Sequence, residues 1–438
     1  MADVLIDLGE VQPHEAQRGE TPAPRRRPSS RAGLGGLALG MLLLLTGAVH
    51  HPPAPQPVFI AARLGDRTYI DDDTLYVVGA GSPLQASAVQ NMIVSAYALP
   101  DGALLSRTKV VVPGSVFDVR SAGSVILVSY HVDSDVGEAT VALTAGTDEA
   151  LWRHPSRVLA ASGPDATVLL RDNTPEFGTI DWAGVDLTTG AVKWTQRQPV
   201  RGITTEAGYR DGFPRLVVTA DAAGDVEVRD AVSGRITATA KVPLRVQRDG
   251  ADLPIEPVGD LMLVGAPEGT TAYSLPDLVE RWHSTEDLAG RWVQPDCVDI
   301  CSLRWGGGML VLDPRTGLRR WSDERWSYAD QIGSYLLASN DPGPAGTRVS
   351  AVLDPRDGRV RGDFGTWRPI GTGRADGTMV GLRELPVESV VWYALLDPGT
   401  LKVRVLGMAD LVAGDCRPAT DVLICRRLDA SVGLWPLK

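Results

Sequence analysis

The sequence predicts an all-β fold: an eight-bladed β-propeller (seven to nine blades) of four-stranded antiparallel sheets, preceded by a single N-terminal transmembrane helix. Three observations carry this expectation. A turn-and-strand pattern recurs about every 43 residues from residue 58 onward, the segments between turns alternate or run apolar over strand lengths, and residues 32–49 form an uninterrupted apolar run. Composition agrees with a folded chain. Its 438 residues are 44% hydrophobic and 22% charged, which suits a sizeable core and excludes a disordered tail protein or a collagen-like repeat. The formal net charge of −11 argues against a nucleic-acid-binding surface, which needs clustered Lys and Arg.

The apolar run comes first in the chain. Residues 32–49 (AGLGGLALGMLLLLTGAV) carry no charge, and at about 1.5 Å per residue such a helix just spans the hydrocarbon layer of a bilayer. Arg25, Arg26, Arg27 and Arg31 precede it, and no Lys or Arg follows until Arg63. The positive-inside rule therefore places residues 1–31 in the cytoplasm as a disordered tail and the remainder outside, with 32–49 as a signal anchor in the cell membrane. A cleavable signal peptide is the competing reading, because TGAVHHPPAP contains small residues that a peptidase accepts. Residues 50–57 (HHPPAPQP) read as a stiff, extended spacer.

Residues 58–438 hold the repeat. Each copy is an apolar strand, a second strand ending in Asp or a substitute, a Pro/Thr/Gly turn, and a strand that often ends in Trp. The clearest copies are 184–194 (GVDLTTGAVKW) and 311–321 (VLDPRTGLRRW). Anchored on the Asp position, the copies fall at Ala98, Thr144, Asp186, Asp230, Ser274, Asp313, Asp354 and Asp397, from 39 to 46 residues apart. The turn chemistry has a mechanism: Asp accepts backbone N–H groups two residues on, Pro presets φ, and Gly permits φ > 0. Strands such as 124–130 (SVILVSY) and 215–220 (RLVVTA) are rich in β-branched residues, and no segment after residue 50 has a 3.6-residue amphipathic period. Eight anchors imply eight blades. The final segment, 421–437, adds a strand pair with no following turn, and residues 57–64 (PVFIAARL) are the candidate outer strand that closes the ring; counted strictly, that closure makes nine.

These copies resemble the quinoprotein-type, or PQQ-like, propeller repeat A-x-D-x-x-T-G-x-x-x-W. Gly184, Asp186, Thr189, Gly190 and Trp194 occupy its five signature places with Gly for the first Ala, and Asp313, Thr316, Gly317 and Trp321 match four. The layout is also similar to BamB-type propellers and to PQQ-binding-like propellers of actinobacterial membrane proteins. The resemblance implies that Trp152, Trp194, Trp282 and Trp321 are wedges docking each blade on its neighbour. High use of Arg over Lys with abundant Ala, Gly and Pro fits a GC-rich, actinobacterial genome.

Chemistry-bearing residues are sparse. Four cysteines sit in two local pairs, Cys297 with Cys301 and Cys416 with Cys425, where one blade is expected to pass to the next. Paired disulfides suit an extracytoplasmic domain; separate buried thiols are the other reading. The six His lack Cys/His ligand spacing, Asp71-Asp72-Asp73 lacks the pattern of a Ca²⁺ loop and reads as a turn, and Gly306-Gly307-Gly308 reads as a hairpin turn or bulge. No nucleophile elbow, P-loop or dinucleotide fingerprint occurs. No catalytic, cofactor or metal residue is assigned. Trp292, Trp305, Trp326 and Tyr328 crowd one stretch and are the candidate partner surface. The expectation is a membrane-anchored, non-catalytic interaction or scaffold module at the bacterial envelope, binding a protein, peptide or glycan. The alternative is a quinone- or Ca²⁺-dependent oxidoreductase of the quinoprotein type.

Overall fold

The computed structural model describes residues 56–438, except 82–89, 133–136, 173–180, 245–254, 341–349, 386–387 and single positions 200, 211, 267, 289, 296 and 305. The tail, the apolar run 32–49 and most of the spacer, with the anchor and its topology, lie outside the described residues. Among the described residues no helix is long and apolar enough to cross a membrane.

Nine four-stranded antiparallel sheets follow one another along the chain. Blades 1 to 8 are residues 67–112, 116–154, 157–197, 203–241, 255–284, 292–323, 328–362 and 368–409, each with its first strand innermost and its fourth outermost. Blade 9 combines three strands from residues 412–436 with Val58–Ile60, which pairs with Val432–Pro436 as the outer strand. The expected eight blades are therefore nine. The eight anchors count turns between third and fourth strands, and blade 9 has no such turn because its fourth strand, Val58–Ile60, precedes the other three in sequence.

The apolar core is not central. It is divided among nine clusters of buried side chains, one in each gap between neighbouring blades. Between blades 1 and 2, for example, Tyr76, Val78, Val94 and Val110 meet Val119, Ile126, Val128 and Val141. Both faces of a blade are covered, which is why middle strands such as Val125–Val132 and Met309–Leu312 read as apolar runs and not as alternations. The last gap, between blades 9 and 1, holds Ile60, Leu75, Val77, Leu99, Val422, Ile424 and Leu434. Closing it joins the first and last blades with the same material that fills the other gaps.

The repeat turn has a common construction. In 186–191 the Asp186 carboxylate accepts from Thr188 N at 3.1 Å and Thr189 N at 2.9 Å and from both threonine hydroxyls, and Gly190 N donates to Asp186 O at 2.9 Å. Those donors, the Thr188 hydroxyl first, lower the Asp186 carboxyl to about 2. Gly190 takes φ +69°, and a Cβ there would lie 2.5 Å from Cγ of Trp152 in the preceding blade. Gly234, Gly317 and Gly358 meet Trp194, Trp282 and Trp321 in the same way. Each indole N–H then donates to a carbonyl of that turn: Trp152 to Leu187, Trp194 to Ala231, Trp282 to Pro314 and Trp321 to Pro355, at 2.7 to 3.1 Å.

At two of the places where the Trp is missing, the turn changes with it. Ala238 and Gly362 hold the corresponding places on the outer strands of blades 4 and 7. The turns that follow carry Leu278 and Leu401 at the glycine position, with φ +54° and +58°. A Cβ on Gly362 would fall 2.4 Å from Leu401, and Leu278 belongs to the cluster against which Ala238 packs. At these contacts a large side chain comes from one blade or the other, never from both; between blades 1 and 2 both are small, Ser106 facing Gly146. At the closure, Val58 lies against Gly102 of the blade 1 turn. Each of the eight outer pairs joined by a turn has a register shift, whereas Val58–Ile60 pairs with blade 9 without one.

Both cysteine pairs are disulfides, Cys297 to Cys301 and Cys416 to Cys425. They do not lie in passages between blades, as the sequence suggests. Cys297 and Cys301 span the connection from the first to the second strand of blade 6, and Cys416 and Cys425 bridge the first two strands of blade 9.

Candidate functional site

Trp292 and Tyr328 open the innermost strands of blades 6 and 7, Trp292–Gln294 and Tyr328–Ile332. The two rings meet with centroids 6.1 Å apart and planes tilted by 49°, both half-buried. At the far end of the same strands Gln294 Nε2 donates to Asp330 at 3.3 Å. Trp326 does not share this rim: it is 4% exposed within the cluster between blades 6 and 7, with the Arg325 guanidinium 5.1 Å from its ring centroid. Trp305 lies outside the described residues. The stretch that looks continuous in sequence is therefore divided between a rim pair and a core residue.

A cavity lies elsewhere on the inner strands, lined by residues that no sequence motif marks. It has a volume of about 920 Å³ and is walled by the inner strands Ile203–Arg210 of blade 4 and Ile255–Val258 of blade 5, with Pro295 of blade 6. Glu206, Tyr209, Arg210, Arg215, Glu256 and Asp260 supply its polar lining. Gly208, at φ +63°, bends the blade 4 strand just before Tyr209, which is 59% exposed. Arg215 is paired with Asp260 at 3.3 Å. Glu256 makes no hydrogen bond or ion pair with any described residue. Its carboxyl reaches solvent in the cavity but is ringed by the wall, and that desolvation pushes it up to about 7. Desolvation, then the neighbouring Glu206 carboxylate, raises the Tyr209 hydroxyl. One sequence signal exists: Glu256 is the charged residue inside the otherwise apolar strand IEPV.

Other motifs serve the ring. Asp71 accepts from Ser121 N at 2.6 Å and Ser121 Oγ at 2.9 Å in blade 2, while Asp73 accepts from Thr420 Oγ1 of blade 9 at 2.6 Å. The acidic triplet is the expected exposed turn, between Arg67–Asp71 and Thr74–Ala80, and it also clamps blade 1 to both neighbours. Gly306, Gly307 and Gly308 form a hairpin connection at positive φ, where Gly308 N donates to Trp326 O. His154 and His283 bond Ser156 and Thr271, and His131 stacks near Phe117. Among the described residues no group of three or more His, Cys, Asp or Glu side chains converges as a metal site.

The chain matches no family model and no curated protein. It is similar in structure to BamB from Moraxella catarrhalis, at 16% identity and a TM-score of 0.40, over 88% of this chain and 97% of that one. It is also similar to the C-terminal WD40 domain of Sif2, at 10% identity and 0.40, over 87% and 97%. A third likeness is to the β-propeller domain of Myceliophteria thermophila Cps50 (Swd1), at 13% identity and 0.31, over 65% and 97%.

Proposed function

We propose that this protein is a membrane-anchored, non-catalytic interaction module of the bacterial cell envelope, with residues 32–49 as the anchor and the propeller on the outer side. The observation that carries the reading is the closed ring itself. Nine blades locked by buried interblade clusters hold the cavity lining and the Trp292–Tyr328 pair on adjoining inner strands, a preorganised surface that loses little freedom on binding. Two disulfides and the uncharged 18-residue run support an extracytoplasmic site.

Cross-linking of the full chain in its native membrane tests this. The expected result is a reproducible envelope partner, with cross-links falling on the axial face. Purified full chain reconstituted with quinone and Ca²⁺ supplies the contrary test: dye-coupled oxidation of alcohols or sugars would replace the module with the quinoprotein oxidoreductase.

A further inference from the structure

We propose that the axial cavity between blades 4 and 5 binds an organic cation, an ammonium or guanidinium group on an alkyl stem, through the carboxylates of Glu206 and Glu256 with Tyr209 against the stem. The proposal rests on the reading of the ring as a binding module and names the chemistry of its ligand.

The charges of the lining decide the class. Its cations are engaged: Arg215 pairs with Asp260, and Arg210 has a partner of its own. Glu206 and Glu256 have no ion-pair partner among the described residues: Glu206 accepts only from the Tyr209 hydroxyl, and Glu256 has no such bond, so the negative charge of the lining is not matched by an ion pair. Arg171 feels the charge of Glu206, and Arg120, which acts on Tyr209, is itself paired with Asp118. An anion would meet both carboxylates, and a neutral sugar would leave their charge unused. Pro257, Pro295 and the Tyr209 ring give apolar contact beside the carboxylates, which suits an alkyl chain ending in a cation. A volume of about 920 Å³ is that of a small-molecule or side-chain pocket.

The protonation state of Glu256 links binding to pH. The charged and titratable groups around it are Glu206, Tyr209 and Arg210 from the inner strand of blade 4, Arg215 from its second strand, and Asp260 from the adjoining turn; Leu261–Ala266 and Trp292–Gln294 bring no charge. With its carboxyl at about 7, Glu256 is mostly neutral at pH 6 and mostly ionised at pH 8. Cation binding therefore strengthens as pH rises through that interval.

The same chemistry has two sources, a free amine or a basic side chain of a peptide. Calorimetric titration of the full chain in detergent with agmatine, and separately with a capped arginine peptide, distinguishes them, since both probes stay cationic from pH 6 to pH 8. The expected result is saturable binding of at least one probe, tighter at pH 8 than at pH 6. The Glu206→Gln/Glu256→Gln double variant should weaken it by about tenfold or more, from the loss of two charge-assisted hydrogen bonds. The unaltered protein gives an independent readout through its pH dependence, should the variant fail to fold. Binding of neither probe, binding indifferent to pH, or binding unchanged in a folded double variant overturns the proposal. Agmatine binding without peptide binding upholds the cavity assignment while counting against a macromolecular partner, so the two readings fail separately.

Discussion

At the scale of single residues, complementarity between blades is the main source of specificity. Trp194 fills the space that Gly234 leaves, and its indole N–H is satisfied by Ala231 O at 3.1 Å. Trp194→Ala removes a buried aromatic and should cost about 3–5 kcal/mol. Gly234→Ala places a methyl 2.2 Å from Trp194 Cγ at a φ of +70° and should cost about 1–3 kcal/mol. The double variant Trp194→Ala/Gly234→Leu reproduces the arrangement found at Ala238 and Leu278, and denaturant unfolding should show it less destabilised than the sum of Trp194→Ala and Gly234→Leu alone. Additive losses would mean that the natural exchange carries no packing compensation. Glu256 gives a second test at this scale. A carboxyl raised from 4.5 to about 7 on folding binds more protons in the folded state, so its contribution to stability is lost as pH rises through that window. Glu256→Gln should therefore gain denaturant midpoint relative to the unaltered protein at pH 8 and lose that gain near pH 4.5; a gain independent of pH would contradict the desolvation of this side chain.

At the scale of elements, the two disulfides close short loops within single blades. With sequence separations of 4 and 9, loop-closure entropy assigns them about 2 and about 2.7 kcal/mol. Reduction should lower the unfolding midpoint modestly and leave the β-sheet circular dichroism intact; collapse of the fold on reduction would show that a bridge is structurally decisive. The strands and turns were legible because their causes are local. Asp313-Pro314-Arg315-Thr316-Gly317 spells a turn in any context, and the Trp that follows marks an outer strand. The location of the cysteines was not, because a shift of one strand within a blade leaves the repeat spacing unchanged. Nor were the roles of Asp71 and Asp73, whose partners Ser121 and Thr420 are 50 and 347 residues away.

For the whole molecule, the blade count and the cavity depend on closure, which no local pattern records. Eight turns were readable, but the ninth blade has no such turn, and its outer strand, Val58–Ile60, is only three residues long. The Trp292 to Tyr328 stretch drew notice because aromatics are visible in a sequence. Glu206 and Glu256 gain meaning only when two inner strands face one cavity. Replacement of Phe59, the middle residue of Val58–Ile60 and the partner of Gly433, by Pro should loosen the outer strand that closes the ring and lower the cooperativity of unfolding, read as a broadened calorimetric transition. The measurement that bears most directly on the account is an experimental structure of the full chain in a lipid environment, viewed along the ring axis. The expected result is nine four-stranded blades, with Val58–Ile60 hydrogen-bonded to Val432–Pro436. A ring of eight blades, or Val58–Ile60 detached from the C-terminal strand, would contradict it.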